Sequence, residues 1–414
     1  MPVVETKSVS FRDLVGRLPT DEGLHGLYPY PARLLRQIPR FLLSRDEVVN
    51  GIRTVIDPFC GSGTVLLEAQ RAGMRGVGFD QNPVAALVSR VKTSPPDSHA
   101  FFDAAQLVMT AAQSVVANDT ADVAGISPVV KRWVDPTALA PLAALRDAVA
   151  DFGGEEELIS SLEVLLALTM RTVAKTDPRI PVPVRPRSLD ARPESPWESW
   201  EAHSERMRRR FKTSSASQSV VVYETDARSH EAWERVHDTG PTLLFTSPPY
   251  GTAQKYLRST SLEHALLAGS SFEGTAHFQQ SSVGRERLRK AENDALREWR
   301  APAEIQRWID RISESSVSRA RAYQAYFKDM ETVLQCARAT SLNCSRMILV
   351  TGTNHVAGVD LPTYQLLRTL AEEAGFTMTT SLRDEIRGRT LLTNRRSSGG
   401  PATHEWVEVF ERNG

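Results

Sequence analysis

A chain of 414 residues, 41% of them hydrophobic, can bury a sizeable core, as one large domain with insertions or as two domains. Its 50 basic and 50 acidic side chains cancel, with a pI near 7.1, which argues against a uniformly basic nucleic-acid binder and leaves any basic face to local clustering. Three cysteines (Cys60, Cys336, Cys344) without a Cys-x-x-Cys pair indicate neither a disulfide framework nor a structural zinc site. Met1–Ser10 lacks the apolar core of a signal peptide and no apolar run reads as long enough to span a bilayer, so the expectation is a cytoplasmic protein without a membrane partner.

Residues 24–43 place an aromatic-proline turn ahead of an amphipathic helix, with Pro31 expected at its first position. Thr54-Val55-Ile56 then reads as a strand, Asp57-Pro58-Phe59-Cys60-Gly61-Ser62-Gly63-Thr64 as a turn, and Val65–Arg71 as a helix. This succession suits a cofactor loop, because glycines let backbone approach a ligand and helix N–H groups face it. It is not the dinucleotide pattern G-x-G-x-x-G, since position 66 is Leu, and it lacks the Gly-Lys-Ser/Thr ending of a phosphate loop. A second strand, Gly73–Asp80, ends in an acid where an α/β nucleotide site places its ribose-diol acceptor; capping the following helix is the plainer role for Asp80. Asn82-Pro83 opens that helix, Val84–Val91.

Residues 93–218 leave the βαβ rhythm. Ala100–Val116, Leu139–Ala150 and Glu155–Ala174 read as helices, and the proline- and arginine-rich stretch Pro178–Pro196 as a loop or extended arm. Ser204–Lys212 gathers Arg206, Arg208, Arg209, Arg210 and Lys212. A solvated helix face is the commoner explanation of such a run, whereas beside a crevice it would serve phosphates.

The sheet resumes at Val220–Tyr223, followed by Asp226, and again at Thr242-Leu243-Leu244-Phe245, an apolar run of the kind a buried parallel strand shows. That run leads into Thr246-Ser247-Pro248-Pro249-Tyr250. The two prolines stop the strand, because neither can donate to a ladder hydrogen bond. They leave two carbonyls as acceptors beside the Ser247 hydroxyl and the flat Tyr250 ring, a set that suits an exocyclic amine on a planar base. An ordinary Pro-Pro turn with a packing tyrosine is the alternative. Residues 251–318 form a second, helical and charged insertion that opens with Gln254-Lys255-Tyr256-Leu257-Arg258. Ala320–Ala339 is a long helix, Met347–Val350 a strand, Leu361–Ala374 a helix, and Gly375-Phe376 the break before a strand through Leu382. Arg387–Thr403, with Arg387, Arg389, Arg395 and Arg396, reads as a mobile basic loop before the last strand, Glu405–Glu411.

Together, Asp57–Thr64 and Thr246–Tyr250 resemble the AdoMet-binding and catalytic motifs of the amino-methylating DNA methyltransferases. The second is similar to the Ser-Pro-Pro-Tyr version most associated with N4-cytosine enzymes. Residues 25–43 resemble the motif that precedes the AdoMet loop in this family. The resemblance covers roughly 20–95, 220–260 and 320–412 and leaves both insertions unassigned. It implies an α/β fold, the class I AdoMet-dependent methyltransferase with a Rossmann-like seven-stranded sheet, its last strand antiparallel, and two mainly helical insertions. On this reading 1–97 and 219–414 form the methyltransferase domain, with 98–218 and 252–318 as insertions that share target recognition, the first slightly ahead.

The resemblance also implies site roles. Gly61, Ser62, Gly63 and Thr64, with Phe59, would line the methionine part of S-adenosyl-L-methionine (AdoMet), and Asp57 would brace the loop or hold the amino group. Asp80 would accept from the ribose diol and Asp226 from the adenine amino group, while His25, Tyr28 and Tyr30 would close the pocket. Ser247, Pro248, Pro249 and Tyr250 would be catalytic, with no metal. Arg206, Arg208, Arg209, Arg210, Lys255, Arg258, Arg387 and Arg389 are the candidate contacts to double-stranded DNA. Cys60, inside the cofactor loop and not in a Pro-Cys dipeptide, reads as a small filler rather than a nucleophile. The implied activity is transfer of a methyl group to N4 of a flipped-out cytosine, within a restriction-modification or related defence system that would supply a separate endonuclease partner. The alternatives are an N6-adenine DNA methyltransferase, an RNA amino-methyltransferase, and a non-catalytic AdoMet- or DNA-binding subunit.

Overall fold

The computed structural model describes residues 4–16, 18, 22–31, 33–186, 194–214, 218–236, 240–251, 256–274, 280–340, 344–386 and 403–413. An N-terminal segment carries β1 (Thr6–Val9), α1 (Phe11–Val15), a 3-10 turn Gly23–Gly26, α2 (Gln37–Leu42) and α3 (Asp46–Val49). Then follow β2 (Thr54–Asp57), α4 (Thr64–Arg71), β3 (Arg75–Asp80) and α5 (Pro83–Thr93). Five helices come next: α6 (Ser98–Ala117), α7 (Pro128–Trp133), α8 (Leu139–Ala150), α9 (Glu156–Val173) and α10 (Pro196–Phe211). The sheet continues with β4 (Val220–Glu224), α11 (His230–Glu234) and β5 (Thr242–Thr246). After α12 (Tyr256–Ser259), α13 (Ser261–Leu267) and helices Lys290–Glu298, Ala303–Ser315 and Val317–Thr340 come β6 (Cys344–Gly352) and the hairpin β7 (Asn354–Val356) and β8 (Val359–Leu361). Helix Thr363–Glu373, β9 (Phe376–Glu385) and β10 (His404–Arg412) complete the described chain.

The main sheet runs β1-β9-β10-β6-β5-β2-β3-β4. Every neighbouring pair is parallel except β10, which is antiparallel to both β6 and β9. This mixed, mostly parallel arrangement fits a class I methyltransferase fold, with the last strand antiparallel as expected. The expected count of seven strands is corrected to eight. β1 adds itself in parallel to the edge of β9, with Thr6 opposite Ser381. Its residues are mostly exposed, so backbone pairing rather than an apolar pattern holds it, and no alternation announces it in the sequence.

From β2 the chain steps one way to β3 and β4, then returns to lay β5 on the other side of β2. The order therefore reverses between β2 and β5, and ligands of open α/β sheets bind at the carboxyl ends of the strands at such a point. Side chains alternate about this centre. Val55, Leu243 and Phe245 enter one core with α1 to α3, while Ile56 and Leu244 enter the opposite one with helices Ala303–Ser315, Val317–Thr340 and Thr363–Glu373.

The third core is all-helical and joins α6 to α10 with α5, the Gly23–Gly26 region and α13. Trp200 lies at its centre, fully buried, its indole N–H donating 3.0 Å to the Ala105 carbonyl. Against the sequence expectation, α6 has the length and apolar composition of a membrane span; in the fold, Phe101, Ala104, Ala105, Val108 and Ala112 form a face packed among α8, α9 and α10. A second correction concerns residues 24–43. Pro31 lies in a turn and the helix starts only at Gln37, because Pro39 has no N–H for the carbonyl four residues back and is accommodated in the first turn of a helix.

Trp200→Ala is expected to lower stability by about 3–5 kcal/mol, read as a reduced urea midpoint.

Candidate functional site

The tips of β2 and β5 are joined by one side-chain bond. The Thr246 hydroxyl donates 2.7 Å to Asp57 Oδ1, which also accepts the Phe59 N–H at 3.1 Å. Asp57 is 3% exposed, and burial pushes its carboxyl up to about 7 against the pull of those two donors. The turn beyond it uses two left-handed residues, Gly61 at φ 50° and Gly63 at φ 76°. A Cβ on Gly63 would also fall 2.4 Å from Ser89 Oγ, so α5 backs directly onto the turn. Asp80 holds the other side: its Oδ2 accepts the Gly61 N–H at 2.9 Å and its Oδ1 the Asn82 N–H at 2.8 Å. Burial raises this carboxyl to about 6. The helix cap is Asn82, whose Oδ1 accepts from Val84 and Ala85.

Ser62 and Thr64 are buried and Phe59 half-buried beside the N-terminus of α4, where first-turn N–H groups have no intrahelical acceptor. The Tyr30 ring lies 3.5 Å from where a Gly61 Cβ would be. Asn82 donates to the Tyr30 hydroxyl at 3.4 Å and to Thr260 at 3.0 Å, tying the turn to α13. Cys60 is buried, with its Sγ 3.0 Å from where a Gly78 Cβ would be, and burial pushes its thiol well up.

The Ser-Pro-Pro-Tyr turn continues straight from β5. Pro248 is buried, and Ser247, Pro249 and Tyr250 are half-buried. Of the two proline carbonyls expected as acceptors, that of Pro249 takes the Gly251 N–H at 2.9 Å, which leaves the Pro248 carbonyl and the Ser247 hydroxyl. Tyr250 is gripped at both ends: its hydroxyl donates 3.1 Å to Glu405 and its carbonyl accepts from Asn354 at 3.0 Å. Thr363 donates in turn to Asn354 at 2.8 Å. The sequence assigned no individual site role to Thr246, Asn82, Asn354 or Glu405. Thr246 and Asn82 lie inside motifs and could have been read from their position; Asn354 and Glu405 reach Tyr250 only across 104 and 155 residues.

Several expected site residues stand elsewhere. Asp226 is not an open acceptor: Arg228 donates to both its oxygens, at 3.0 Å from Nε to Oδ1 and 2.6 Å from Nη2 to Oδ2, while also bonding Asp329 at 2.9 Å. Tyr28 is fully buried in the helical core and donates 2.7 Å to Glu263, itself bonded to Arg171 at 3.1 Å. His25 donates 2.6 Å to Glu68, which Arg40 and Arg71 also bind; burial holds its imidazole down to about 4. Both anchor the N-terminal segment instead of lining the turn. In the basic run, Arg208 and Arg209 pair with Glu205 at 2.6 and 2.7 Å, Arg210 donates to the Gly23 carbonyl at 2.6 Å, and Arg206 bonds His203. Arg258 is exposed on α12, and Lys255, Arg387 and Arg389 lie outside the described residues.

No family model matches the chain. A stretch of 85 residues is 33% identical to the type II methyltransferase M.MjaII of Methanocaldococcus jannaschii, covering 20% of this chain and 16% of that protein. A stretch of 77 residues is 36% identical to the type II methyltransferase M.MvaI of Kocuria varians, covering 18% and 17%. The chain thus matches less than a fifth of the length of either relative. Among solved structures, the rRNA methyltransferase aviRa from Streptomyces viridochromogenes aligns over 97% of this chain and 96% of its own, at 12% identity and a TM-score of 0.34, a superposition too loose to carry weight.

The raised pKa of Asp57 sets a pH dependence. The folded state holds a proton that the unfolded chain releases above about 4, so this contribution is full at lower pH and is lost as pH rises through about 7. Asp57→Asn is expected to reduce the decline in stability between about pH 4 and 7, measured by urea denaturation, leaving the declines of the same sign that Asp80 and Glu408 cause.

Proposed function

We propose that the chain transfers a methyl group from AdoMet to the exocyclic N4 of a flipped-out cytosine in double-stranded DNA. The observation that carries this reading is the Thr246–Asp57 bond, which fuses the glycine turn and the Ser-Pro-Pro-Tyr turn into one site at the sheet's reversal point. The local likeness to two type II methyltransferases supports the reaction class. The residues also fit the donor. Two buried carboxyls with raised pKa, Asp57 and Asp80, suit a ligand that brings positive charge and hydroxyls, and the first turn of α4 suits a carboxylate. Gly61, Ser62, Gly63 and Thr64 would hold its methionine part, Asp57 its amino group and Asp80 its ribose; for Asp226 to serve the adenine, Arg228 has to let go of it.

When bound, AdoMet supplies an electrophilic methyl group. The chain's own residues act on the base. The amino nitrogen of cytosine is a poor nucleophile because its lone pair is delocalised into the ring. Ser247 Oγ and the Pro248 carbonyl accept its two hydrogens, so that the nitrogen pyramidalises and its lone pair is freed. Tyr250, fixed by Glu405 and Asn354, stacks on the base face, worth roughly 1–3 kcal/mol. The gain in rate comes from positioning and from dipoles set before the reaction. Ser247 is the residue that favours cytosine over adenine.

The two insertions act together in reading the target. Docking of α13 on α9 and α7, with Arg171 on Glu263, supports treating them as one body. The type II relatives support a role as the modification enzyme of a restriction-modification system, with a separate endonuclease as partner.

Purified protein incubated with AdoMet and unmethylated duplex DNA is expected to yield N4-methylcytosine on nucleoside mass spectrometry. N6-methyladenine would keep the mechanism and correct the base; no methylated deoxynucleoside would overturn the assignment to DNA. Ser247→Ala is expected to lower turnover about 100–1000-fold with AdoMet affinity unchanged by calorimetry. Tyr250→Ala is expected to weaken binding of duplex DNA that presents cytosine opposite an abasic site by roughly 1–3 kcal/mol, measured by fluorescence anisotropy.

A further inference from the structure

A lysine stands behind the glycine turn. Lys92 lies on α5 three residues after Ser89, and residues so spaced share a helix face. Ser89 presses on the turn at Gly63. Lys92 has no exposed surface, and its Nζ donates 2.9 Å to the Ser62 carbonyl. Among the described residues no carboxylate bonds it. The titratable groups that face it are Arg33, Arg210 and His25. Arg33 donates to the His25 carbonyl at 2.5 Å and Arg210 to the Gly23 carbonyl at 2.6 Å. Three basic side chains thus hold three backbone carbonyls on this side of the turn. The acid of the region, Glu68, is taken by His25, Arg40 and Arg71. Burial first, then repulsion from Arg33 and Arg210, push the Lys92 ammonium well below the ordinary lysine range.

A buried ammonium that meets only a neutral carbonyl is costly unless an anion compensates it. The residue in front of it is Ser62, in the turn that receives the methionine end of AdoMet on the reading above, and that end carries a carboxylate. We propose that Lys92 is a positioning residue of this site: it fixes the turn through the Ser62 carbonyl and, taking up a proton when the carboxylate of the methyl donor arrives, supplies the positive potential that selects that carboxylate. In a dry interior such a charge acts across several ångströms with little screening. The inference rests on the AdoMet reading of the site.

The test compares AdoMet with decarboxylated AdoMet, titrated calorimetrically into the wild-type protein, Lys92→Gln and Lys92→Met. Gln keeps a donor for Ser62 and removes the charge; Met removes both. Both variants are expected to bind AdoMet about tenfold more weakly, a change equal to about 1.4 kcal/mol, and Lys92→Gln to bind the decarboxylated ligand within about twofold of wild type. Equal losses for the two ligands in Lys92→Gln, or a Lys92→Gln variant that binds AdoMet like wild type, overturn the proposal while leaving the AdoMet reading intact. A wild-type protein that binds neither ligand overturns both. Should Lys92→Met fail to fold by circular dichroism, Lys92→Gln decides alone.

Discussion

The bond from Thr246 to Asp57 is the constraint on which the site depends. It spans the reversal point of the sheet, where the carboxyl ends of β2 and β5 lie side by side. Buried from water, a hydroxyl-to-carboxyl bond is stronger than at a surface and its loss more damaging. Because Asp57 also accepts the Phe59 amide, the glycine turn and the Ser-Pro-Pro-Tyr turn share an anchor and cannot shift independently. Asp80 repeats the arrangement one strand over, reaching from the end of β3 to the Gly61 amide. Both carboxyls sit at unfavourable depth for a free charge, the kind of local cost that functional sites carry and the rest of the fold sustains.

Around this centre the distant parts of the chain are fastened by polar bonds. The N-terminal segment is clasped to α4 by Glu68, which gathers His25, Arg40 and Arg71. Thr260 meets Asn82, and Glu263 meets Tyr28 and Arg171, so α13 is stitched to the segment that follows β3 and to the helical layer at once. On the other flank Arg228 binds the Ser281 carbonyl and Asp329, and Asp329 binds Arg285. Gly284 approaches so closely that a Cβ there would stand 2.5 Å from the Gly251 carbonyl. The second insertion therefore touches the residue that directly follows the Ser-Pro-Pro-Tyr turn.

Where the sequence signal was local, it was legible. Thr54–Ile56 and Thr242–Phe245 are continuous apolar runs, and both form strands covered on two faces. Gly61 and Gly63 take the left-handed conformations that a turn closing onto a helix requires. Where the signal depended on partners, the sequence was silent. Asp226 looked available because nothing in a string of letters shows that Arg228 folds back onto it. Tyr28 and His25 looked like pocket walls because their aromatic character is the same whether they face a ligand or a core. β1 is polar and exposed and exists only because β9 offers it an edge.

The sequence by itself determined the two turns, the strands that carry them and the chemistry their side chains can perform, since these follow from backbone preferences and side-chain types a few residues apart. The tertiary structure decided which groups are still available for that chemistry. Topology brought Thr246 to Asp57 across 189 residues and Glu405 to Tyr250 across 155, gave Asp226 to Arg228, and set Lys92 beneath Ser62. Availability and pKa are properties of burial and of neighbours, and neighbours remote along the chain are chosen only when the sheet order and the packing of the helices are complete.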